Sequence, residues 1–96
     1  MAAYVIVDWL EISDPTAFQA YAQKARPGLA KFDGKFLAAR GASEVLEGSW
    51  RPKNVVVIEF PSLAKAKEWY ASSDYQDAKA IRASSTKANF VAVEGV

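Results

Sequence analysis

Few side chains in this 96-residue chain could do chemistry, and two residue types are absent altogether: there is no histidine and no cysteine. That excludes the commonest general base, the commonest metal ligand, thiolate nucleophiles and disulfides. Acid–base work would fall to carboxylates, lysine, tyrosine or a bound cofactor. Two carboxylates stand inside apolar runs, Asp8 in Tyr4-Val5-Ile6-Val7-Asp8-Trp9 and Glu59 in Val55-Val56-Val57-Ile58-Glu59-Phe60. A carboxylate on a buried strand needs a partner or a purpose. Side chains alternate along a strand. If the wholly apolar sets Val5/Val7/Trp9 and Val56/Ile58/Phe60 face the helices, Asp8 and Glu59 share the other face with Tyr4, Ile6, Val55 and Val57. The same parity assigns Phe36, Ala38 and Arg40, and then Phe90, Ala92 and Glu94, to that face. Placed at the same ends of adjacent parallel strands, Asp8 and Glu59 would titrate as a coupled pair, with Arg40 as the available cation. These three are the catalytic candidates. Tyr4 and Tyr70 could add hydroxyl donors to a ligand site, and Trp50 could close over it or pack back on the sheet or a partner. Such a constellation fits a pocket that binds or acts on a small polar molecule. It also fits an ion-pair network that only fixes a dimer seam.

The elements that position these residues follow from local pattern. Ala3 to Glu11 and Val55 to Phe60 are apolar on both faces, as central strands are; Pro61 cannot extend the second of them. Asp14-Pro15 is an N-cap followed by proline at the first helical position. Phe18, Tyr21, Ala22, Ala25, Leu29 and Phe32 then form one stripe. Pro27-Gly28 predicts a kink or break in that helix. Lys35 to Glu47 reads as a strand bent at Gly41, joined by Gly48–Pro52 to the next. Ser62 caps a helix with Leu63, Ala66, Trp69 and Tyr70 inward. Ser73-Asp74-Tyr75-Gln76 reads as a capping box, opening a helix with Tyr75, Ala78 and Ile81 on one side. Asn89 to Glu94 is the last strand.

The order, strand-helix-strand-strand-helix-strand over residues 1–96, predicts a single α+β domain. It is a ferredoxin-like βαββαβ sandwich, with a four-stranded antiparallel-type sheet and helices on one face. Both faces of the sheet are apolar, and the uncovered one predicts a homodimer packed sheet to sheet. Net charge is +1, so no field attracts nucleic acid or anionic lipid. The central strand also lacks the stacking aromatics of RNA-recognition sheets. No signal-peptide pattern or membrane-length apolar run is present, and the cytoplasm is the default location.

Several segments resemble a widespread bacterial family of unknown function, number thirteen-thirty of the domains so catalogued. They are Tyr4-Val5-Ile6-Val7 with Asp14-Pro15, Gly34-Lys35-Phe36-Leu37, Arg40-Gly41, Glu47-Gly48, Val57-Ile58-Glu59-Phe60-Pro61-Ser62, Ala66 with Trp69-Tyr70-Ala71-Ser72, Tyr75-Gln76 and Arg82. Asp33 and Ala42 stand where relatives often carry a second glycine. The resemblance implies the dimeric α/β-barrel superfamily. It brings no settled activity and no catalytic residues. The superfamily includes cofactor-free monooxygenases and haem-binding members, with sites usually between sheet and helices; haem attachment through histidine is excluded here. No cofactor is expected. Three functions compete: a small-molecule enzyme or binding protein, a non-catalytic dimeric module and, by fold analogy alone, a monooxygenase-like enzyme.

Overall fold

The computed structural model describes residues 1–96. The elements run β1 (Ala3–Ile12), α1 (Pro15–Lys31), β2 (Lys35–Ala39), β3 (Val55–Phe60), α2 (Leu63–Ala71), α3 (Ser73–Arg82) and β4 (Thr86–Glu94). The four strands form one sheet in the order β2-β3-β1-β4, the ferredoxin-like α+β arrangement. Every neighbouring pair is antiparallel. The expectation that β1 and β3 run parallel is therefore wrong. The helical crossover makes β1 parallel to β2, not to β3. β3 returns from β2 and inserts between the two, so it opposes both.

The core lies between the sheet and the helices. Val5, Val7 and Trp9 of β1 and Val56, Ile58 and Phe60 of β3 are buried there with Tyr21, Leu29, Ala66, Trp69, Tyr75 and Ala78. Residues paired across a ladder share a face, so Val7 opposite Phe90 and Val5 opposite Ala92 put Phe90 and Ala92 on the helix side. The expected set Phe90, Ala92 and Glu94 is thus on the covered face. Asn89, Val91 and Val93, opposite Asp8, Ile6 and Tyr4, lie on the open one. In β2 a register shift between Phe36 and Ala38 breaks the alternation: Phe36 pairs with Ile58 on the helix side, and Ala38 with Val57 on the open side.

Four local expectations are revised. β2 ends at Ala39, where Arg40 takes a φ of 61°; residues 40–54 then carry no regular structure. Pro27 does not end α1, which is continuous to Lys31. Pro27 is exposed, so the carbonyl that loses its partner can turn to water. Ser72, not Ser73, caps α3, its hydroxyl accepting from the Tyr75 amide at 3.1 Å. On α3 the inward set is Tyr75, Ala78 and Arg82, with Ile81 outside. No helix is long and apolar enough to cross a membrane.

Candidate functional site

The register decides the fate of the carboxylate pair. Tyr4 pairs with Glu59 and Asp8 with Val55, so Asp8 and Glu59 are four positions apart along the sheet, about 13 Å at strand rise. Antiparallel pairing sends equal strand ends in opposite directions, and the pair does not form. Glu59 is 3.9 Å from the Lys35 ammonium. Asp8 is buried on the open face, where one carboxylate oxygen accepts the indole N–H of Trp50 at 3.0 Å and the other has no partner. Trp50 therefore packs back on the sheet, although it stays 61% exposed. Tyr4 is on the open face beside Glu59. Tyr70 is on the helix side, its hydroxyl accepting from Lys79 Nζ at 3.0 Å. Arg40 leaves the carboxylates altogether. Its positive φ turns the side chain to the helix side, with the guanidinium 4.9 Å from the Phe18 ring centre. The six expected site residues are thus scattered over both faces of the sheet.

The structure instead forms a cleft of about 370 Å³ between the sheet and α1. Trp9, Val56 and Ile58 floor it; Phe18, Tyr21 and Ala25 of α1 wall it. The stripe of α1 supplies this wall because residues three and four apart stack on one helix face. Trp9 meets Phe18 and Tyr21 edge-on, at ring-centre distances of 4.9 and 5.6 Å, the favoured geometry for aromatic pairs. Arg26 and Arg40 are the only charged residues lining the cleft, and both are exposed at its mouth.

Behind the cleft lies a buried polar cluster that pattern reading missed. Arg82 is 6% exposed. Its guanidinium carbon lies 5.0 Å from the rings of Trp9 and Phe90 and 5.3 Å from that of Tyr21. Burying an unpaired cation is costly, and aromatic faces offset part of that cost. No carboxylate pairs with Arg82. One guanidinium nitrogen donates to the Tyr75 hydroxyl at 2.9 Å, another to Thr86 Oγ1 at 3.4 Å, and Nε has no acceptor. The Tyr75 hydroxyl is 3.1 Å from that of Tyr21. Burial above all, and then Tyr75, pushes the Tyr21 ionisation far above the ordinary tyrosine value, against a smaller pull from Arg82, so Tyr21 is a neutral hydroxyl. The available signal was the spacing Tyr75, Ala78, Arg82, a regular helical stripe that puts arginine at a core position.

In solved structures the fold recurs at low identity. A protein of unknown function from Rhodopseudomonas palustris superposes with a TM-score of 0.76 at 17% identity, covering 99% of this chain and 82% of its own. A dimeric ferredoxin-like protein of unknown function from Jannaschia sp. CCS1 gives 0.69 at 16% identity, covering 99% and 100%. SnoaB from Streptomyces nogalater, a cofactor-independent oxygenase, gives 0.67 at 8%, covering 98% and 92%. These likenesses establish the fold alone. No curated protein matches the sequence. The family model described as Domain of unknown function (DUF1330) matches residues 2–96, and the chain belongs to that family.

Proposed function

We propose that this protein is a homodimer that binds a small, largely apolar molecule carrying an acidic group, in the cleft between the sheet and α1. The observation that carries this reading is the lining: apolar and aromatic walls whose only charges are two arginines at the mouth. Binding sites are typically apolar concavities with a few polar groups that fix orientation. A guanidinium at the rim favours a carboxylate, sulfonate or phenolate over a neutral or cationic group. The cleft has no carboxylate, imidazole or thiol of its own, so it offers donors and apolar contact rather than a general base of the usual kind. In this reading Asp8 and Glu59 take no part in the cleft, and Arg40, expected as a catalytic candidate, becomes a ligand-binding residue. The dimer is supported by the apolar open face of the sheet and by structural neighbours described as dimeric.

The test is calorimetric titration with 2-naphthoate and with 2-naphthylmethylammonium, which share a ring system and differ in charge. The carboxylate should bind at least about tenfold more tightly. The preference should shrink with added salt and in Arg40→Gln. Equal affinity for the two ions, or preference for the cation, would sink the reading.

A further inference from the structure

The cluster behind the cleft has more donors than acceptors, and that imbalance has a direction. Arginine can only donate, so the Tyr75 oxygen must accept from Arg82 at 2.9 Å. Thr86 offers no relief, since its hydroxyl proton is already given to the Arg82 carbonyl at 2.8 Å. Two tyrosine protons remain, and the 3.1 Å contact between Tyr75 and Tyr21 can place only one of them. If Tyr21 donated to Tyr75, the Tyr75 proton would be stranded on a residue 1% exposed that does not line the cleft. A buried donor without an acceptor costs about 1–3 kcal/mol. The opposite direction, Arg82 to Tyr75 to Tyr21, leaves the free proton on Tyr21, which does line the cleft and donates to no other side chain. In a chain of this kind each donor polarises the next, and a cation stands at its head.

We propose that the Tyr21 hydroxyl, aligned by Tyr75 and Arg82, is the specificity-determining donor of the cleft, and that it selects ligands with an acceptor oxygen (a ketone, enolate or phenolate) on the apolar ring system. This rests on the cleft reading above and narrows its substrate class. Tyr21 serves as the contact; Tyr75 and Arg82 act through it as positioning residues. A site built to hydrogen-bond a substrate oxygen discriminates against an analogue lacking it, because the site's own polar group is then left unpaired.

The experiment uses a pair of nearly equal shape, 2-acetylnaphthalene and 2-isopropenylnaphthalene, in which a methylene group replaces the carbonyl oxygen, titrated into wild type and Tyr21→Phe. Wild type should bind the ketone about tenfold more tightly, the ratio expected of one well-formed hydrogen bond, and in Tyr21→Phe the ratio should fall to about one. Wild-type protein labelled with carbon-13 at the tyrosine ζ position gives a readout that needs no variant to fold. The Tyr21 resonance should move with the ketone and stay with the hydrocarbon. If wild type binds both probes alike, or its preference survives in Tyr21→Phe, the inference is overturned. The cleft reading then still stands on its 2-naphthoate result. If neither naphthalene probe nor 2-naphthoate binds wild type, both are overturned.

Discussion

Asp8 has two carboxylate oxygens and one hydrogen-bonded donor, the indole of Trp50. The pair spans a sequence separation of 42 residues and is the side-chain bond that ties the irregular segment 40–54 to the open face of the sheet. Trp50→Phe keeps an aromatic ring but leaves the buried carboxylate with no donor at all. It should destabilise the protein by about 1–3 kcal/mol. Asp8→Asn should cost less in the Trp50→Phe background than in wild type. A double-mutant cycle on urea unfolding checks this, and additive effects would mean that the two side chains do not couple. At this scale the sequence was partly legible. That Asp8 sits buried on the open face, and that Glu59 shares that face, followed from alternation alone. Their separation did not, because register depends on strand direction and a period of two carries no information about it. Arg82 was overlooked because an arginine in a helical stripe is ordinarily solvated, and only the packing of four aromatic rings shows that this one is not.

Elements were read more securely than residues. The strands and helices had strong periodicity and caps, and their order is the observed one. The boundaries that failed had tertiary causes. β2 was expected to continue to Glu47, since Ala42 to Leu46 has strand-compatible residues, but β3 offers only six positions to pair with. Beyond Ala39 there is no ladder to join. Pro27-Gly28 was expected to break α1 because both residues are poor helix formers. Instead Gly28 lets two helices approach closely: a Cβ there would lie 2.9 Å from the Cβ of Asp74 on α3. One turn on, Lys31 reaches the same aspartate at 3.3 Å. Gly28→Ala should gain about 1 kcal/mol from helix propensity and lose more from the forced separation of α1 and α3, for a net destabilisation of about 1–2 kcal/mol. Chemical denaturation gives the sign. A stabilised variant would show that α1 and α3 can part without cost.

For the molecule as a whole, the open face of the sheet is the main unsatisfied surface. Val91 and Val93 are 57% and 45% exposed, Leu37 is 51% exposed, and Ile6 and Val57 lie among them half-buried. Contiguous apolar surface of this kind commonly marks an interface, and the proposed dimer would cover it at once on both copies. Light scattering during size-exclusion chromatography at micromolar concentration should report a dimer. Val57→Lys should yield a folded monomer, because a lysine ammonium cannot be buried there unpaired; far-UV circular dichroism separates dissociation from unfolding. A monomeric wild type would refute the homodimer. This face was legible from the sequence as two-sided apolar strands. The cleft was not, since its mouth depends on a positive φ at Arg40 and a register shift in β2, neither of which has a sequence period.

One backbone contact bears on the path of the whole chain. The Gly95 amide donates to the Ala2 carbonyl at 2.7 Å, continuing the β1–β4 ladder past Glu94 and Ala3. Ala2 and Gly95 are therefore neighbours on one ladder, and the path between them has a single long stretch, residues 40–54, free of strand and helix. Connectivity across that ladder is topologically interchangeable with connectivity across that stretch. The same seven elements, in the same registers, are compatible with a cyclic order of the sequence that joins Gly95 to Ala2 through a short linker and opens between Gly41 and Ser49, where backbone order is least engaged.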